Sequence, residues 1–187
     1  MRTNRYLIVL LILSSTFLLS CEMNDYVQPE ALPAITQIGK QTFGAKINGA
    51  IWTPFQRYKA NPNFKPVPVV WGKYQNATLR LSVTNQNTLE SMSFMINNVK
   101  DTGRYQFMRY FPKNAVEFTP FASVYQKCID GNCLQYSICQ TCVNEVNIIR
   151  FDPVSKIYSG TFSVTFQNKE RPTEMLTLKD GRFDIRE

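Results

Sequence analysis

Residues 158–166 read YSGTFSVTF and set the pattern for most of the chain. Phe162, Val164 and Phe166 alternate with serine and threonine, so an extended backbone places the three apolar side chains on one face and the hydroxyl groups on the other. A strand with one apolar and one polar face is typical of an antiparallel sheet that covers a core on one side. The stretch therefore predicts such a strand.

The same period of two recurs along the chain from residue 41 onward. Asn48-Gly49 tolerates the positive φ of a type I′ turn and predicts a hairpin, and no segment shows ten or more residues of helical period. Strand-like segments occupy residues 77–84, 91–97, 102–108, 118–126, 146–152, 174–180 and 181–186. Repeated short strands without helices predict an all-β fold, a single antiparallel β-sandwich or barrel-like domain over residues 41–187.

The start of the chain has the features of an export signal. Arg2 and Arg5 precede an apolar run of about fourteen residues, which is shorter than the ~20 residues of a membrane-spanning helix. The run ends in Leu-Leu-Ser before Cys21, which resembles the lipobox of bacterial lipoproteins. We therefore expect residues 1–20 to be a lipoprotein signal peptide, Cys21 to be the acylated anchor, and residues 21–40 to be a flexible tether. This predicts an outer membrane lipoprotein of the cell envelope, facing the periplasm or the cell surface.

Composition removes several classes of function. The chain holds no histidine, so Ser-His-Asp and Cys-His catalysis and histidine-containing metal sites are excluded. Cleavage before Cys21 leaves 167 residues with 19 basic and 14 acidic side chains, a net charge of +5. The basic residues are scattered without a run, so we expect no nucleic-acid partner.

Residues 53–71, TPFQRYKANPNFKPVPVVW, depart from the strand pattern. Four prolines in this stretch forbid a central strand and predict a long loop. One interpretation is an aromatic, basic binding loop that stacks against a sugar or a partner surface, and the other is a loop that folds its rings onto the domain's own core. The candidate binding residues are Phe55, Arg57, Tyr58, Phe64 and Trp71.

Four cysteines lie within residues 128–142, in the sequence CIDGNCLQYSICQTC. Outside the cytoplasm an even cluster of this kind favours disulfides. A two-residue turn at Asp130-Gly131 would pair Cys128 with Cys133 and leave Cys139 to pair with Cys142. A longer hairpin, with residues 121–126 and 143–151 as its arms, would instead nest Cys133–Cys139 inside Cys128–Cys142. We slightly favour the nested pairing, although it requires a bulge.

Other chemistries for these cysteines and for the acidic residues are weaker. Four thiolates would suit zinc, and Cys139-Gln140-Thr141-Cys142 would suit a redox pair, but an exported protein rarely keeps four thiols reduced. Glycoside hydrolysis needs two carboxyl groups, yet no acidic residue stands out by position, and Asp152-Pro153 and Asp180-Gly181 resemble turns. We therefore expect no catalytic residue, no metal site and no cofactor. The acidic candidates are Glu90, Asp101, Glu117, Glu145, Asp152, Glu174, Asp180 and Asp184.

Five short motifs occur in a characteristic order: TFG at 42–44, ING at 47–49, GRY at 103–105, GTF at 160–162 and GRFD at 181–184. Together they resemble a family of Bacteroidota lipoproteins known only as a domain of unknown function. The resemblance implies an antiparallel β domain on a lipid tether and implies no activity. It also makes Gly49, Gly103 and Gly181 turn or strand-start residues, and it places Phe162, Phe183 and Ile185 in the core.

These features together predict a membrane-anchored, non-catalytic binding or accessory module. Its expected partners are the membrane, through the lipid anchor, and an envelope protein or a glycan. A purely structural envelope component is the alternative, followed by a carboxylate-dependent glycan hydrolase.

Overall fold

The computed structural model describes residues 29–56, 69–108, 124–139 and 141–187, and every regular element in these ranges is a β-strand. The prediction of an all-β fold, a single antiparallel β-sandwich or barrel-like domain, is confirmed, because the strands form one antiparallel sheet. The strands are β1 (Thr42–Ile47), β2 (Ala50–Trp52), β3 (Val70–Gln75), β4 (Thr78–Asn85), β5 (Glu90–Ile96), β6 (Gly103–Tyr105), β7 (Val124–Ile129), β8 (Asn132–Ile138), β9 (Glu145–Asp152), β10 (Ile157–Asn168) and β11 (Met175–Arg186).

The sheet runs in the order β2-β1-β11-β10-β8-β7-β5-β4-β3 and forks at β10. The first half of β10 pairs with β9, which in turn pairs with β6, and residues 166–168 pair with β8. Two isolated bridges link distant parts of the sheet: Phe107, after β6, pairs with Ile96 of β5, and Phe55, after β2, pairs with Asn85 of β4. The strands therefore curve around a shared core.

The core is centred on aromatic rings that project inward from different strands. Phe162 lies 5.3 Å from Phe43, 5.4 Å from Phe94 and 5.7 Å from Phe107, measured between ring centroids. The apolar face read from residues 158–166 is the buried face of β10, as predicted, and Phe183 and Ile185 are buried on β11. Burial of this apolar area is the main favourable term in folding.

Two of the predicted turns have different outcomes. The Asp152 carboxylate accepts a hydrogen bond from the backbone N–H of Ser155 at 2.8 Å, and this bond, followed by one from Arg150, lowers the pKa of Asp152 to about 2. The prediction of a turn at Asp180-Gly181 was wrong, because both residues lie inside the long strand β11. Gly181 is required by packing: a Cβ added there would stand 2.5 Å from carbons of the Phe162 ring.

Residues 32–40, here called the strap, cross the outer face of β11 and β10. The buried Asp184 carboxylate accepts hydrogen bonds from the backbone N–H groups of Gly39 and Lys40, at 2.8 and 3.1 Å, and from the hydroxyl groups of Thr36 and Ser159. Burial raises the pKa of Asp184, but these hydrogen bonds outweigh it and hold the pKa below its usual value. Residues 36–40, which the sequence analysis assigned to the tether, are thus bound to the sheet.

Candidate functional site

A cavity of about 480 Å³ opens between the β1–β2 hairpin and the β7–β8 hairpin, and we call it the cleft. Its volume lies within the ~300–1,000 Å³ that small-molecule sites occupy. Ile47 and Ile51 form one wall, and Ile129 and Leu134 form the other. Ile129 is 51% exposed and marks the mouth, while the buried Trp52 marks the floor.

The floor is built around Glu90, the first residue of β5. The indole N–H of Trp52 and the hydroxyl group of Thr88 both donate hydrogen bonds to Glu90 Oε2. Lys127 stands directly across from Glu90 in the β5–β7 register, and its Nζ lies 3.1 Å from Glu90 Oε1. The Glu90 side chain is 9% exposed and that of Lys127 is 40% exposed. The negative charge is therefore buried, and the positive charge reaches toward solvent.

Two tyrosines complete the floor. Tyr125 of β7 and Tyr136 of β8 are direct cross-strand partners, and their rings meet edge to face with centroids 5.4 Å apart. Burial, followed by the charge of Glu90, raises the pKa of the Tyr125 phenol. Burial, followed by a hydrogen bond to Glu174, raises the pKa of Tyr136. Both phenols are therefore protonated at neutral pH.

Glu174, just before β11, is the second carboxylate of the cleft. Its Oε1 accepts a hydrogen bond from the Tyr136 hydroxyl group. Its Oε2 accepts one from the Asn168 amide at 3.1 Å and lies 3.2 Å from the Arg171 guanidinium. All four carboxylate oxygens of Glu90 and Glu174 are thus engaged by hydrogen bonds or ion pairs.

The predicted disulfides form, but in the pairing that we favoured less. Cys128 bonds to Cys133, with Cα atoms 4.0 Å apart, and Cys139 bonds to Cys142, with Cα atoms 5.4 Å apart. The nested pairing was wrong because residues 132–138 form a strand of their own, β8, which returns along β7 after the two-residue turn at Asp130-Gly131. All four sulfur atoms are in disulfides in this structure, so none is a thiolate that zinc would need.

The two disulfides lie at opposite ends of β8, the strand that supplies Leu134 and Tyr136 to the cleft. Cys128–Cys133 joins β7 to β8 directly beside Lys127 and Leu134. At the other end of β8, the Asn144 amide donates to the carbonyl oxygens of Cys139 and Cys142, at 3.0 and 2.9 Å. Cys128–Cys133 therefore cross-links two strands of the cleft wall, whereas Cys139–Cys142 closes the turn that follows β8.

Among the described residues of the candidate binding loop, Phe55 lies next to the cleft. Phe55 bridges to Asn85, which lines the cleft. Trp71 lies on β3, paired with Ser82 and 43% exposed, and does not line the cleft. Arg57, Tyr58 and Phe64 lie outside the described residues, as do Cys21 and residues 1–28.

Sequence reasoning missed the floor of the cleft, although a signal was present. In β5, Glu90 is in phase with Met92, Phe94 and Ile96, so the period of two points this carboxylate inward. Lys127 is likewise in phase with the buried Tyr125 on β7. Charges in the apolar phase of a strand are rarely buried unless they are paired, and here two such charges of opposite sign pair with each other.

A second cavity, of about 420 Å³, lies on the outer face of the sheet. Its central row runs across four strands as Arg104, Asn147, Thr161 and Arg182. Arg182 donates to the carbonyl oxygen of Pro33 at 3.2 Å, which ties it to the strap. The other members are ordinary polar side chains of a solvated sheet face, so the cleft is the stronger candidate site.

Comparison with known proteins found no family model, no curated protein and no solved structure that matches this chain. Within the part of the chain that the structure describes, no helix has the length and apolar character needed to span a membrane. The interpretation of the cleft therefore rests on its own geometry.

Proposed function

We propose that this protein is a lipid-anchored, non-catalytic binding module of the cell envelope, and that the cleft is its binding site. The observation that carries the proposal is the composition of the cleft: aliphatic walls surround a floor of aromatic rings and a few convergent polar groups, one of them a buried carboxylate. This combination is typical of sites that hold small organic ligands. The lipobox-like sequence at Cys21 and the resemblance to Bacteroidota lipoproteins support the membrane location.

The hydrogen bonding on the floor favours binding over catalysis. A glycoside hydrolase uses one carboxylic acid to protonate the leaving group and one carboxylate as base or nucleophile. In the cleft, every oxygen of Glu90 and Glu174 already accepts a hydrogen bond or an ion pair. These contacts orient Trp52 and Tyr136, so the two carboxylates serve as supports for the rings that a ligand would meet.

A glycan hydrolase is the least favoured candidate, and its support is that Glu90 and Glu174 both line the cleft. Its test is release of reducing ends from envelope glycans, with Glu90→Gln and Glu174→Gln as the variants that should abolish it. A purely structural envelope component is the first alternative to the binding proposal. It predicts that no ligand stabilises the domain through the cleft.

The binding proposal is tested by blocking the cleft without disturbing the core. Ala50 is exposed and lines the cleft, so Ala50→Trp should fill the cavity while the fold is retained. Val154→Trp is the matched control, because Val154 is 92% exposed in the turn between β9 and β10. Thermal unfolding of the three proteins is measured against a panel of saccharides, organic amines and uncharged amphiphiles.

A ligand that binds only the folded state raises the free energy of unfolding by RT ln(1 + [L]/Kd), and therefore raises the thermal midpoint. We expect at least one class to raise the midpoint of the wild type and of Val154→Trp, and to leave Ala50→Trp unchanged. Equal shifts for Ala50→Trp and the wild type would place binding elsewhere. An absence of shifts across the panel would favour the structural interpretation.

A further inference from the structure

The buried charge of the cleft is the carboxylate of Glu90. Its lining includes two carboxylates, Glu90 and Glu174, and one ammonium group, that of Lys127. The Glu90 side chain is 9% exposed whereas that of Lys127 is 40% exposed, so the buried end of the cavity carries the negative charge. The Glu90 carboxylate is paired with Lys127 and the Glu174 carboxylate with Arg171, so a cationic ligand would have to replace one of these two cations.

Apart from Lys127, the polar groups on the floor favour a ligand that donates hydrogen bonds. The Trp52 indole N–H and the Tyr136 hydroxyl group are already used as donors to Glu90 and Glu174. These groups can therefore form further hydrogen bonds only as acceptors, through the lone pairs of the carboxylate and phenol oxygens. The aromatic faces of the floor add to this preference, because the face of an indole or phenol ring attracts cations.

The ion pair on the floor shows that an ammonium group fits there. Lys127 Nζ lies 3.1 Å from Glu90 Oε1 at the end of an aliphatic stem that follows the cleft wall. Because Lys127 is partly exposed and lysine side chains are flexible, its ammonium group has a route to solvent. The Lys127 ammonium group therefore occupies a position beside Glu90 in which the cation of a ligand could replace it.

We propose that the cleft binds an organic ammonium ion carried on an apolar body, with Glu90 as its counter-ion and Lys127 as the internal cation that it displaces. Ile47, Ile51 and Leu134 contact the apolar body, and Trp52 and Tyr125 face the charged head. This inference rests on the proposed binding function and specifies the ligand class.

The test uses Trp52 as a reporter inside the cleft. The chain holds two tryptophans, so Trp71→Phe leaves Trp52 as the single indole. This protein is titrated with hexylammonium, with hexan-1-ol as the uncharged analogue of equal chain length, and with maltose as a neutral saccharide, at low and high salt. We expect hexylammonium to change the Trp52 fluorescence, to bind about tenfold or more tightly than the alcohol, and to bind more weakly at high salt.

Two charge variants then separate an ammonium site from a neutral one. Lys127→Gln removes the competing cation and should tighten hexylammonium binding several-fold, whereas a neutral ligand that hydrogen-bonds Lys127 would bind more weakly. Glu90→Gln should weaken hexylammonium binding about tenfold or more. The control Lys100→Gln changes an exposed lysine away from the cleft and should leave affinity unchanged.

The ammonium inference is overturned if hexan-1-ol or maltose binds as tightly as hexylammonium, if Lys127→Gln weakens hexylammonium binding, or if hexylammonium does not bind at millimolar concentrations. The first result leaves the binding function standing with a neutral ligand. Failure of the binding function itself is recognised separately, by the Ala50→Trp comparison across the full ligand panel. If Glu90→Gln does not fold, the ammonium inference is tested by Lys127→Gln and by the salt dependence of hexylammonium binding.

Discussion

Replacing Gly181 with alanine should destabilise the domain although the change adds a single methyl group. The new Cβ would lie 2.5, 2.5 and 2.6 Å from three carbons of the Phe162 ring, where ordinary carbon contacts are ~3.5–4.0 Å. The ring has to move by about 1 Å, and it is packed against Phe43, Phe94 and Phe107. Overpacking of this kind costs ~1–3 kcal/mol.

The measurement is a double-mutant cycle with Phe162→Ala by urea unfolding. Phe162→Ala alone should cost ~3–5 kcal/mol because the ring is buried. In the Phe162→Ala protein, Gly181→Ala should leave the free energy of unfolding unchanged or raise it, which corresponds to a coupling energy of ~1–3 kcal/mol. For a domain of this size, Gly181→Ala alone should lower the thermal midpoint by about 2–12 °C. A neutral Gly181→Ala, or additive effects in the cycle, would refute the packing of this strand pair.

Three further variants test the other contacts described above. Asp184→Asn should cost ~1.5–3 kcal/mol at neutral pH. Because the folded-state pKa of Asp184 is lowered from 3.8, the stability due to its charge is lost as the pH falls through that lowered pKa. A stability gap from wild type that persists in acid would contradict the role of the Asp184 charge in holding the strap. Trp52→Phe removes a donor to a buried carboxylate and should cost ~1–3 kcal/mol in urea unfolding, whereas Trp71→Phe on β3 should stay within ~0.5 kcal/mol; equal effects would count against the floor network. The double variant Cys128→Ala, Cys133→Ala opens a short loop and should lose about 2 kcal/mol; thermal unfolding with no change would show that the bond leaves the hairpin's stability unaffected.

The fold was predictable because alternation is a local property. Phe162, Val164 and Phe166 face inward wherever the strand is placed, since successive side chains of any strand point to opposite faces. The same reasoning found the Asn48-Gly49 hairpin, where both residues have positive φ. Local reasoning gave the wrong prediction at Gly181. The sequence around a glycine does not show whether the glycine forms a turn or makes room for a ring on the neighbouring strand.

The cleft was harder to predict because it depends on which strands become neighbours. The inward phase of Glu90 and of Lys127 can be read from their own strands, but their pairing follows from the β5–β7 register. The bond from Trp52 to Glu90 joins residues 38 positions apart. The disulfide pairing likewise depended on whether residues 132–138 form a strand or a loop, a choice that the two pairings left open.

The most direct test of the cleft as a binding site is photo-crosslinking in intact cells. A photoreactive amino acid replaces Ile129 at the mouth of the cleft, or Val154 on the far turn as control, in the full-length protein. We expect an adduct of defined mass at position 129 that is absent at position 154 and is lost when Ala50→Trp fills the cavity. An adduct at position 129 that survives Ala50→Trp, or the same adducts at both positions, would show that the cleft is not the binding site.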